Sequence, residues 1–126
     1  MNEQEIFQAS KLERKHQELE QNLQLIENQI QELEQFKEDI EFLIKSEKKE
    51  SLSSIGKGVF IRSRIEDKKD LFVEVGTGIV VKKTPEQTQK VVENQIKRLK
   101  ETRIQIISQL EIYHYSLQEL ISKIQK

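Results

Sequence analysis

Apolar residues recur along the first third of the chain at spacings that alternate between four and three. Leu12, Leu19, Ile26, Leu33 and Ile40 form one row, and His16, Leu23, Ile30, Lys37 and Ile44 form its companion. This is the heptad pattern of a coiled-coil seam, with the first row at d and the second at a. Neither Gly nor Pro interrupts residues 6–47, and the positions between are rich in Glu, Gln and Lys, which favour helix. The pattern predicts one helix over 6–47, closing on Lys45, Lys48 and Lys49, cations that suit a helix C-terminus. His16 and Lys37 are the polar breaks in its a row. A second helix is predicted over 85–125. Val92, Leu99, Ile106, Tyr113 and Leu120 make one row there, with Ile96, Arg103, Leu110, Leu117 and Ile124 beside it. Thr84 is its N-cap, Pro85 suits the first helical position, and Gln87 completes a Thr-x-x-Gln capping box. Each helix is roughly 60 Å long at the α-helical rise.

Residues 51–83 follow a different rule. All four glycines lie here, at 56, 58, 76 and 78. Between them run Val59-Phe60-Ile61, Leu71-Phe72-Val73-Glu74-Val75 and Ile79-Val80-Val81, segments that favour β structure. Gly56-Lys57-Gly58 and Gly76-Thr77-Gly78 read as tight hairpin turns, and Glu66 to Asp70 as a polar connection. Four strands are predicted, at 51–55, 58–65, 70–75 and 79–83, paired as two hairpins. Residues 1–126 are thus read as a single domain in three segments: helix 6–47, a double hairpin over 51–83 and helix 85–125.

Each helix carries one apolar stripe too long for a few short strands to cover. The two are nearly equal in length, so an intramolecular antiparallel coiled coil satisfies both. This register places Lys37 near Ile96 and Arg103 near Ile30, where each cation can reach outward past an aliphatic neighbour. The fold class is mainly α with a small β module, an antiparallel two-helix coiled coil linked by two β-hairpins. The chain ends then meet at the tip of the pair. Ile6, Phe7, Leu12, Leu117, Leu120, Ile121 and Ile124 gather there, more apolar surface than a seam end requires. Leu12, Leu117, Leu120 and Ile124 could be the last turns of the seam, but Ile6, Phe7 and Ile121 flank it. That favours a surface that takes up other apolar chains. The strands likewise lack a finished core. Val59, Phe60, Ile61, Leu71, Phe72, Val73, Val75, Ile79, Val80 and Val81 offer apolar side chains on open-edged ribbons, so pairing with strands of other subunits into a closed barrel is expected.

Composition narrows the chemistry. Charged residues make up 34% and hydrophobic ones 35%, too little apolar content for an ordinary globule of this size and suited to solvated helices. The net charge of −1, without a basic face, gives no reason to expect nucleic acid. There is no cysteine, hence no disulfide or thiolate metal site. No signal-like start and no apolar run of about 18 residues appear, so a cytoplasmic protein without a membrane partner is expected. The glycine pairs lack the Gly-x-x-x-x-Gly-Lys-Ser/Thr spacing of a phosphate loop and read as turns. His16 and His114 stand without carboxylates or cysteines at ligand spacing, so they read as seam or flank residues rather than a metal pair. Tyr113 and Tyr115 read as one seam and one surface residue. The many Glu and Gln residues are ordinary solvated positions rather than acid–base pairs. No catalytic residues, no metal and no cofactor are expected, and no enzyme.

The chain resembles the α-class subunit of prefoldin over nearly its whole length. The resemblance rests on the order helix, two hairpins, helix. It rests also on Gly58-Val59-Phe60-Ile61, on Leu71-Phe72-Val73-Glu74-Val75-Gly76-Thr77-Gly78, and on Val81-Lys82-Lys83-Thr84-Pro85-Glu86. Two hairpins rather than one favour the α class over the β class. The segment Leu52-Ser53-Ser54-Ile55 departs from the more apolar, Pro-containing first strand of that class. The resemblance implies a hexamer of two α-class and four β-class subunits, whose strands form a double β-barrel body. It implies tips that hold unfolded polypeptides without ATP and pass them to a group II chaperonin. The competing expectation is a prefoldin-like scaffold or adaptor whose helices bind one fixed, folded partner.

Overall fold

In the computed structural model, which describes residues 3–125, the heptad rows are wound into two long helices. The order of elements is α1 (Glu3–Lys45), β1 (Glu50–Gly56), β2 (Val59–Arg64), β3 (Leu71–Gly76), β4 (Ile79–Lys83) and α2 (Pro85–Gln125). Helix α1 begins with Glu3 and Glu5 in its first turn and ends on Lys45, charges that oppose the helix dipole at both ends. Helix α2 opens with the reciprocal capping box. The Thr84 backbone N–H donates to Gln87 Oε1 and the Gln87 N–H donates to Thr84 Oγ1, each at 3.1 Å.

The chain divides into two compact units. The first joins Met1–Leu33 to Gln95–Lys126. Here Lys15, Leu19 and Asn22 share a groove with Gln109, Tyr113 and Ser116, and Gln29 and Leu33 share another with Gln95 and Leu99. Early residues of α1 therefore lie beside late residues of α2, which is the antiparallel pairing. Burial follows the heptad rows. Ile30, Ile96 and Ile106 are buried, and Leu12, Leu19, Leu23, Ile26, Leu33, Leu99, Arg103, Leu110, Tyr113, Leu117, Leu120 and Ile124 are half-buried. Tyr115 is exposed, so the two tyrosines divide between seam and surface. No described side chain falls below 2% exposure, because two helices alone enclose a seam without a deep core.

The second unit is Glu34–Asn94. Ile40 and Val92 are its buried aliphatics, joined by Thr88, whose hydroxyl donates to the Thr84 carbonyl at 3.0 Å and so is buried with a partner. Lys37 Nζ stands 3.2 Å from Glu93 Oε1. The register expected from the heptads, given to within a turn, puts Lys37 near Ile96, and Glu93 lies one turn from that residue. A heptad fixes which face of a helix is buried but leaves the axial register free by a turn.

The strands form two separate two-stranded antiparallel sheets, β1–β2 and β3–β4, rather than one sheet of four. Both are hairpins turning at the predicted glycines. Lys57 (φ 50°) and Gly58 (φ 79°) both take positive φ, as a type I′ hairpin turn requires; at the second turn Gly78 does so (φ 76°). The polar β1 pairs all the same, with Ser53 and Ser63 hydroxyls 2.6 Å apart across the ribbon. The Ile65 N–H donates to the Lys49 carbonyl at 2.6 Å, one step beyond the β1–β2 ladder, and Lys68 Nζ in the β2–β3 connection donates to the Ser46 carbonyl just past the end of α1. A cation on a carbonyl at a helix C-terminus satisfies a group the helix leaves unpaired.

Candidate interaction surfaces

Two sets of apolar side chains lack enough cover within the chain. The first belongs to the paired helix ends of the first unit. Position in the heptad decides exposure there. Leu12, Leu117, Leu120 and Ile124 sit in the seam rows and are half-buried, while Ile6 (47%), Phe7 (70%) and Ile121 (46%) flank the seam and are exposed. The seven candidates thus separate into four residues that hold the helices together and three that face outward.

The second set is on the strands. Alternation puts Val59 and Ile61 on one face of the first hairpin with Ser53 opposite Ile61; the other face carries Phe60 and Arg62 with Leu52 opposite Arg62. In the second hairpin Leu71 and Val73 share a face with Val81, Phe72 shares the other with Val80 and Lys82, and Val75 falls at the register shift between Glu74 and Gly76. Leu71 and Val73 are half-buried, whereas Val59, Phe60, Ile61, Phe72, Val75, Ile79, Val80 and Val81 are exposed. A ribbon of two strands has two edges and two faces, and this chain leaves most of both faces in solvent.

Further apolar residues lie outside the a and d rows, where a heptad pattern gives no sign of them. Leu25, Phe36 and Phe42 on α1 are exposed, as are Ile104, Ile112 and Tyr115 on α2. The last three share the outer face of α2, a signal visible in the sequence as i, i+8, i+11 spacing. Among the described residues no group of three or more His, Cys, Asp or Glu is placed to hold a metal ion. No described helix is long and apolar enough to cross a membrane.

Comparison with known proteins agrees with this architecture. A family model described as prefoldin subunit matches residues 12–126. Prefoldin subunit alpha 2 of Thermococcus kodakarensis is 32% identical over 82 residues, covering 65% of this chain and 58% of that protein. The matched stretch is therefore less than two thirds of the relative's length. A chain in the cryo-EM structure of filamentous PFD from Methanocaldococcus jannaschii superposes with a TM-score of 0.78. That match covers 90% of this chain and 95% of the other at 18% identity, a likeness of fold.

Proposed function

Because the chain belongs to the prefoldin family, we propose that it is an ATP-independent chaperone subunit that holds unfolded polypeptides at its paired helix ends. The observation that carries the reading is the exposure of Ile6, Phe7 and Ile121 beside a seam that does not need them. Burying such a side chain contributes roughly 1.5–3 kcal/mol, so a few contacts hold an apolar client reversibly, and several subunits on one body add avidity. The sequence contains no phosphate-loop motif, in keeping with holding rather than driven refolding.

In this reading the exposed strands are the assembly surface. They pair with β-class prefoldin subunits in a hexamer of two α-class and four β-class chains, whose strands close into barrels. The two hairpins and the likeness to an alpha subunit support the α-class position. The complex works in the cytoplasm and passes its clients to a group II chaperonin. The Ile104, Ile112 and Tyr115 stripe supports a second reading, an adaptor that docks one folded partner on the outer face of α2.

Light scattering of a denatured client diluted into buffer without nucleotide separates the two. The chaperone reading predicts suppressed aggregation once the chain is reconstituted with a β-class partner. Aggregation unchanged by the complex favours the adaptor.

A further inference from the structure

The seam rows turn one side of α2 toward α1, and the opposite side is ordered about a centre. At 3.6 residues per turn, Ser108 lies about 180° around the helix from the seam rows. Ile104 and Ile112 stand four positions to either side of it, 63% and 64% exposed. Glu101 and Tyr115 stand seven positions out, and Lys97 and Glu119 eleven out, all exposed. Helical periodicity puts them on one outer face of α2, within the first unit.

The spacing reads the same from either end, and the chemistry at matching positions is complementary. When two copies of α2 run antiparallel across Ser108, Ile104 of each meets Ile112 of the other. Lys97 then meets Glu119, and the Tyr115 hydroxyl meets the Glu101 carboxylate, to which it can donate. A two-fold axis makes each of these contacts twice. The small serine at the axis lets the helices approach to the 8–10 Å or so of packed helices. A parallel pair would instead set Lys97 against Lys97 and Glu119 against Glu119, which like charges oppose. A face that is its own complement in both charge and apolar surface fits a second copy of this chain.

We propose that the outer face of α2 is a self-association surface that joins two copies of this chain antiparallel about Ser108. One helix face from each copy is a small contact, below the roughly 1,200 Å² of stable interfaces, so the pair is transient and concentration-dependent. The surface is separate from the helix ends that hold clients, and its occupant is a second copy rather than an adaptor's folded partner.

The test uses the full chain with one introduced thiol, since the chain has no cysteine. Ser108→Cys puts two thiols at the axis, within the Cα separation of about 4.4–6.8 Å that a disulfide spans, so a covalent dimer should accumulate in a glutathione redox buffer. Ser122→Cys is exposed but far from the axis, and should give at least about tenfold less. Association through the exposed strands would not favour one position over the other. Adding Ile104→Lys to Ser108→Cys should cut the dimer at least about fivefold with the helical circular dichroism unchanged. Adding Lys97→Glu should cut it about threefold, and Lys97→Glu together with Glu119→Lys should recover it. Equal cross-linking at the two positions, or no loss with Ile104→Lys, overturns the proposal and leaves the stripe to a partner of another kind. A double charge exchange that does not recover the dimer overturns the antiparallel pairing.

Discussion

At Thr84 the chain passes from strand to helix within one residue, and both ends of its capping bond lie within four positions of sequence. Contacts that local are legible in the sequence alone. Thr84→Ala leaves the Gln87 N–H without its side-chain acceptor and should cost about 1 kcal/mol in urea unfolding. A change of under about 0.3 kcal/mol would show that water replaces the cap without loss. Lys68 is the contrary case. It reaches the Ser46 carbonyl across 22 positions, and nothing in its neighbours announces the contact. Lys37 lies between these cases: its place in the seam is legible, its partner Glu93 is not, since the heptad leaves a turn of freedom.

Among the elements, the helices are readable because the buried positions repeat the heptad through both α1 and α2, polar breaks included. The hairpins are readable from their glycines. The two separate strand pairs follow that reading, but what covers them does not, because hydrophobic alternation says which faces want cover but not what supplies it. Leu110 is a half-buried seam residue in the first unit, while all four strands belong to the second. Leu110→Pro should therefore break α2 locally, costing about 3 kcal/mol or more, and lower the helical circular dichroism. Native mass spectrometry should still find the assembly at full mass. Complete dissociation would mean that helix contacts, not strands, hold subunits together.

In the whole molecule, the proposed function divides labour between strands that assemble and helix ends that hold clients. Val73 lies mid-strand on the apolar face of the second hairpin. Val73→Asp would bury a carboxylate in the proposed barrel, which is costly without a partner charge, so the complex should fail to form while helical signal persists. A complex of normal mass carrying Val73→Asp would place the interface elsewhere. Which apolar residues serve a partner is the part sequence pattern conveys least, since Phe7 on a helix end and Phe42 elsewhere on α1 look alike there and are both exposed. The role of the helix ends is tested most directly by aggregation suppression in complexes trimmed at those ends. Every subunit type is shortened, this chain to residues 11–115, and then full length is restored in this chain alone. The trimmed complex should assemble but no longer protect an unfolded client, and restoring Ile6, Phe7 and Ile121 with their helix ends should recover part of the protection. Protection by the fully trimmed complex equal to that of the intact one would contradict a client-holding role for the helix ends.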